Sequence, residues 1–165
     1  MGGRHTQTCA VAGFLNVFGD AWTLLIVREA LYGATRFTQI QRNTGIARNL
    51  LSERLAMLVR EGILEKVEVG TSGIRHAYHL TDKGRSLEPL LISLVLWANA
   101  HIYGPGKEPT LVLEKDTGQI VHDLAPITQN GDRVNWQALT IEAGPTASDA
   151  ARRRLQARDK AMDRV

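Results

Sequence analysis

G-D-A-W-T-L-L-I-V-R-E (19–29), R-F-T-Q-I-Q-R-N-T-G-I (36–46), L-L-S-E-R-L-A-M-L-V-R-E-G-I-L-E-K (50–66) and H-A-Y-H-L-T-D-K-G (76–84) are the segments that decide the fold. The first carries an apolar run behind Asp20, a side chain suited to accept from the free amides that open a helix. Phe37 to Arg42 reads as a short helix, and Asn43-Thr44-Gly45 as a turn. In Arg48 to Glu61, Leu51, Leu55 and Leu58 recur at steps of four and three, so they share one helical face. Asn49, Glu53, Ala56 and Arg60 lie nearly opposite that stripe, and Gly62 closes the helix. Leu64 to Val69 alternates apolar and charged residues, as a half-exposed strand does. Gly70-Thr71-Ser72-Gly73 is a hairpin tip and Arg75 to Leu80 the returning strand. Two helices joined by a turn and followed by a β-hairpin make a winged helix, a shape that docks into duplex DNA.

Upstream, Cys9 to Phe18 reads as a first helix, with Gly19 as its stop. Downstream, Thr81 caps a helix expected to reach Tyr103, with Leu87, Leu90, Leu91, Leu94 and Trp97 as its apolar residues. Pro89 inside it is expected to kink it or restart its hydrogen bonding. Gly104-Pro105-Gly106 is a linker. Strands are expected at Thr110 to Glu114, Ile120 to Leu124 and Val134 to Ile141, with turns at 116–119 and 130–132. Ser148 to Val165 is Ala/Arg-rich and reads as a weak helix. The expected class is α+β: a winged helix-turn-helix domain over 1–103 and a β-hairpin extension over 104–165 that ends in a helical tail.

At 165 residues, 44% hydrophobic and 22% charged, the chain has the composition of a globular protein. The longest apolar run, Leu90 to Ala98, is far short of the ~20 residues a membrane span needs. No secretory leader is recognisable, so a cytoplasmic protein with no membrane partner is expected. A lone cysteine, Cys9, excludes an internal disulfide framework. His5, His76, His79, His101 and His122 have no metal-ligand spacing, and no phosphate-cradling loop or nucleophile elbow is present. Neither an enzyme nor a resident cofactor or metal is expected.

Charge is concentrated. Residues 1–103 carry a net +3 and residues 104–165 a net of zero. Within 36–60, Arg36, Arg42, Arg48, Arg54 and Arg60 face a single acid, Glu53. Such a patch suits a phosphate-facing surface. The major groove admits a helix, and arginine and asparagine can each make paired bonds to base edges there. Arg48, Asn49, Ser52 and Glu53 occupy the leading end of the longer helix and are the candidate readout residues. Arg36 and Arg42 flank the shorter helix and suit phosphates. Arg54 leans toward the core side, as a DNA contact or as a structural ion-pair partner. At the wing, Ser72, Arg75 and His76 suit the backbone or the minor groove.

Together these residues resemble the HxlR-type bacterial transcriptional regulators. The likeness spans Cys9 to about Ile102. It rests on Cys9 ahead of residues 19–29, on Arg36-Phe37, on Leu51-Ser52-Glu53-Arg54-Leu55 and on Tyr78 to Gly84. The resemblance implies a homodimer that binds double-stranded DNA. Its interface is built from the N-terminal helix, with Phe14, and from the long helix, with Leu87, Leu91, Leu94 and Trp97. It also implies a repressor more than an activator, and a role for Cys9 in sensing oxidants or electrophiles. A thiol at a helix start has the dipole to favour thiolate. Three positions depart from the family pattern: Ala47 replaces a capping Ser or Thr, the wing tip lacks proline, and Ala10 follows Cys9. Two other readings remain open. One is a regulator answering a small-molecule effector in a pocket at the β-extension. The other is a winged helix retained for protein assembly without DNA.

Overall fold

A computed structural model describes residues 5–70 and 76–162. Two compact units emerge: Met1–Asp20 with Ala125–Val165, and Ala21–Leu124. The boundary expected at 103/104 lies inside the second.

The Ala21–Leu124 unit holds α2 (Thr23–Leu31), α3 (Phe37–Thr44), α4 (Arg48–Arg60), β1 (Leu64–Glu68), β2 (His76–Leu80), α5 (Asp82–Arg85) and α6 (Glu88–Ala98). Its core is aliphatic. Ile26 and Val27 of α2, Ile40 of α3, and Leu51, Leu55 and Leu58 of α4 are fully buried, with Ile46, Ile63 and Leu64 beside them in the chain's core. The leucine spacing read from the sequence is therefore the face α4 buries. Gly45 takes φ +72° at the end of α3, the left-handed conformation that the tight turn into α4 requires. Gly62 (φ +66°) ends α4: its N–H donates to Val59 O, and the N–H of Ile63 to Leu58 O. That pair satisfies two carbonyls that the helix end would leave open.

β1 and β2 pair antiparallel, from Leu64 opposite Leu80 to Glu68 opposite His76. A third backbone segment joins them. Arg36 bridges Ala77, and Tyr78 N–H donates to Thr35 O at 2.8 Å. The returning strand of the wing is thus tied to the entry of α3.

Thr81 does cap the next helix, its hydroxyl accepting from Gly84 N–H. The same hydroxyl donates to Gly62 O at 2.7 Å, and Lys83 Nζ donates to Glu61 O, so this corner also closes the end of α4. The single helix expected to Tyr103 is replaced by three pieces: α5, α6, and a π-helical turn over Asn99–Tyr103. Pro89 sits in the first turn of α6 and does not kink it. Proline lacks the N–H that a helix start leaves unused anyway, so it restarts the helix there. Beyond it, Glu114 N–H donates to Gln119 O and Val121 N–H to Val112 O, a hairpin closed by one bridge, Leu113 to Ile120.

The other unit holds α1 (Ala10–Phe18), a second short hairpin with its bridge at Ile127 and Arg133, and α7 (Asp149–Met162). Phe14 stacks on Phe18 with ring centroids 4.5 Å apart. The strand expected at 134–141 is absent. A 3-10 turn over Trp136–Ala138 stands there, with Asn135 Oδ1 accepting from Gln137 N–H. A capping asparagine favours a turn over continuing the ladder.

Candidate nucleic-acid interface

The site is assembled on α3, α4 and the wing. Glu29 of α2 is buried, at 6% exposure, and holds α2 and α3 together. Its Oε1 accepts from Arg28 Nη2 at 2.6 Å, and its Oε2 accepts from Asn43 Nδ2, at the far end of α3, at 2.7 Å. A carboxylate removed from water needs such partners, so α3 is clamped where α2 holds Glu29. At the other end of α3, Gln39 Oε1 accepts from the N–H groups of Arg36 and Thr35. With the backbone there satisfied, the Arg36 side chain projects into solvent.

Asn49, Ser52 and Glu53 are all exposed, Ser52 and Glu53 each about one helical turn beyond Asn49 along α4. Asn49 and Glu53 lie opposite Leu51, Leu55 and Leu58, and Ser52 stands on the flank between the two faces. Ala47 precedes α4 without a side-chain cap, as its chemistry dictates. Arg48 is exposed, and its guanidinium lies 5.6 Å above the centre of the Phe37 ring. This is cation–π distance. It brings the first residues of α3 and α4 together, so Arg36 and Arg48 gather at one end of the motif. Arg42 is exposed in the last turn of α3. Arg54 is mostly covered, and its Nη1 lies 3.4 Å from Glu53 Oε1. That pair supports the structural reading of Arg54 and gives Glu53 an arginine to orient.

His76 stands opposite Glu68 at the end of the wing nearest its tip, with Nε2 3.9 Å from Glu68 Oε1, beside the bridge that holds Arg36. Ser72 and Arg75 lie outside the described residues. Phe37 and the Glu29–Asn43 bond had no functional reading in the sequence. The pair Arg36-Phe37 stood out there only as a recurring motif, and its use as a platform for Arg48 depends on the turn between the helices.

Of the residues expected at a dimer contact, Leu87 and Leu91 are partly exposed and Leu94 and Trp97 largely so, Trp97 at 59%. No residue of α6 is buried, although its sequence is E-P-L-L-I-S-L-V-L-W-A. Phe14 is half-covered, with Phe18 as its stacking partner.

Cys9 is exposed at the N-terminal boundary of α1. The N–H groups of Ala12 and then Val11 point at its sulfur, and with the more distant charge of Arg154 they hold its pKa below the usual thiol value. Among the described residues no group of histidines, cysteines and carboxylates could hold a metal ion. No single helix is long and apolar enough to cross a membrane.

Residues 17–104 match the HxlR-like helix-turn-helix family. The chain belongs to that family. A relative from Mycobacterium tuberculosis, the HTH-type transcriptional regulator Rv3095, is 35% identical over 82% of this chain and 86% of its own length. The crystal structure of PA1607, a candidate transcription factor, superposes with a TM-score of 0.73 at 35% identity, covering 84% of this chain and 97% of the other. That coverage runs well past residue 104, so the likeness takes in part of the chain beyond the HxlR-like region. The redox regulator HypR, in its reduced form, matches at TM-score 0.51 and 26% identity over 55% of this chain and 90% of its own. As an HxlR-type protein the chain is a winged helix-turn-helix transcriptional regulator that binds DNA, and its family is one of regulators, not enzymes.

Proposed function

We propose that this HxlR-type regulator is a cytoplasmic homodimer that represses transcription by occupying a specific operator. One observation carries the reading of the DNA face: Asn49, Ser52 and Glu53 are exposed polar residues of α4, while Leu51, Leu55 and Leu58 of the same helix are fully buried. A helix gripped that firmly presents its outer edge rigidly, which base readout needs. Arg48, seated on Phe37, adds to the readout residues at the leading end of α4, and Arg36 and Arg42 supply phosphate contacts. His76 meets the backbone at the wing with Ser72 and Arg75. Repression follows from occupancy, since a bound dimer covers promoter DNA.

The dimer is proposed on α6. A helix with seven large apolar side chains and none buried would hold a hydrophobic stripe in water. Such stripes mark association surfaces. Leu87, Leu91, Leu94 and Trp97 supply it, and Phe14 is proposed as a dimer contact in its own unit.

Oxidant or electrophile response is proposed for Cys9. Exposure and a lowered pKa are the two properties a reactive thiol needs. The likeness to HypR, a redox regulator, points the same way.

A mobility shift with DNA from upstream of the protein's own coding region tests the proposal. It is run reduced, then after mild oxidant, beside Cys9→Ser. Specific binding that oxidant abolishes in the unaltered protein but not in Cys9→Ser is the expected result. No shift of that DNA or of neighbouring intergenic DNA would count against the proposal and favour the assembly reading.

A further inference from the structure

The unit containing α1 and α7 carries a cleft of about 610 Å³ that the DNA-binding reading does not use. Thr6, Gln7 and Thr8 form one wall, and Ser148, Arg153 and Arg154 are prominent on the other. The volume falls in the range of small-ligand sites. Two features give the cleft a chemical preference. Neither Arg153 nor Arg154 has a carboxylate within ion-pair distance among the described residues, and both line the cleft. Arg154 is held in place, its Nη1 donating to Gln7 Oε1 at 3.0 Å. Guanidinium groups so placed suit carboxylates, which they bind through paired hydrogen bonds.

The cleft also lies next to Cys9 in sequence, although Cys9 itself does not line it. Thr8 is its last N-terminal wall residue and Cys9 follows, the Cys9 N–H donating to Gln7 O at 3.0 Å. Arg154 serves both places: it lines the cleft and its charge acts on the Cys9 thiolate. The chain has no second cysteine, so a thiol partner for Cys9 must come from another molecule.

We propose that this cleft docks a small carboxylate-bearing disulfide and delivers it to Cys9. The proposal rests on the thiol reading above and names its oxidant. The Cys9 thiolate attacks one sulfur of the bound disulfide. A Cys9–sulfur bond forms as the ligand's own S–S bond breaks, and the departing half leaves as a thiolate that takes a proton from water. Cys9 is oxidised to a mixed disulfide and the released half is reduced. Arg153 and Arg154 act as positioning residues by holding the carboxylates.

The test uses full-length reduced protein and two probes. Glutathione disulfide carries carboxylates; cystamine is a disulfide carrying amines instead. Mixed-disulfide formation is followed by intact mass. In the Arg153→Gln, Arg154→Gln double variant the ratio of the glutathione disulfide rate to the cystamine rate is expected to fall about tenfold, as loss of a charge-assisted hydrogen bond would give. Loss of Arg154's effect on the thiolate slows both probes alike and cancels in the ratio. With the unaltered protein, S-methylglutathione, which cannot exchange, is expected to slow glutathione disulfide and not cystamine. An unchanged ratio without competition would overturn the cleft and leave Cys9 reactive. A Cys9–Cys9 linked dimer in place of the mixed disulfide would overturn it as well. A Cys9 inert to both probes and to iodoacetamide would overturn the thiol reading and the cleft together.

Discussion

Replacing Glu29 with alanine should cost about 2–3 kcal/mol of stability, and the structure says where the loss arises. Glu29 is 6% exposed, and its two oxygens serve different partners. Asn43 Nδ2 donates to Oε2 at 2.7 Å across two helices, a bond to a charged acceptor worth about 1.5–3 kcal/mol. Arg28 donates to Oε1 at 2.6 Å, but its side chain is 35% exposed, so solvent screening limits that pair to about 1 kcal/mol or less. Alanine's better helix propensity returns only a few tenths (~0.3 kcal/mol). For a chain of this size the net loss corresponds to a fall in Tm of about 5–10 °C. The assay is urea and thermal unfolding of Glu29→Ala, Asn43→Ala and the double variant. The cycle should return a coupling of about 1–2 kcal/mol between the two sites. A loss for Glu29→Ala below ~0.5 kcal/mol, the range of neutral surface changes, would refute the clamp, as would additive single variants.

Three further outcomes follow from the same geometry. Gly84 packs so closely on Ile63 that a β-carbon would collide with that carbonyl oxygen and lie 2.8 Å from Leu80 Cδ2, so Gly84→Ala should lose about 1–3 kcal/mol in urea unfolding despite its better helix propensity; an unchanged midpoint would show that α5 shifts freely. Leu94→Glu with Trp97→Glu places two charges on the stripe of α6 and should convert a dimer to a monomer in sedimentation velocity, whereas unchanged sedimentation would remove α6 from the interface. Cys9 has its pKa lowered by the fold, so the native chain keeps its thiolate to lower pH than the unfolded chain. Its alkylation rate should therefore decline only as pH falls through that lowered value, and a native profile overlying that in urea would contradict the arrangement of Ala12 and Val11 N–H groups.

Much of the DNA-binding fold was legible because it depends on local rules. The steps between Leu51, Leu55 and Leu58 fixed both the helix and its buried side, and Gly45 and Gly62 marked conformations other residues resist. Thr81 was readable as a cap, though not as the residue that also closes α4 through Gly62 O, a bond across 19 positions. Pro89 was ambiguous, since its missing N–H breaks a helix interior and suits a helix start equally well; the chain before it decides, and Ser86 and Leu87 had already left α5. The extension misled because strand-like composition at 134–141 competes with Asn135, whose side chain captures the next turn. For the site, exposure of Asn49 and Glu53 followed from helical phase alone. The seat of Arg48 on Phe37 and the Glu29 clamp did not, because each needs two helices brought together by the turn.

The central claim is that the outer edge of α4 reads bases while Arg36 and Arg42 hold phosphates. Binding of the unaltered protein, Asn49→Ala and Arg42→Ala to an operator duplex and to random DNA, each across a salt series, tests it most directly. Asn49→Ala is predicted to lose about 1–3 kcal/mol on the operator and little on random DNA. Arg42→Ala should weaken both alike and reduce the slope of log affinity against log salt by about 1. Equal losses on both DNAs for Asn49→Ala would contradict the account.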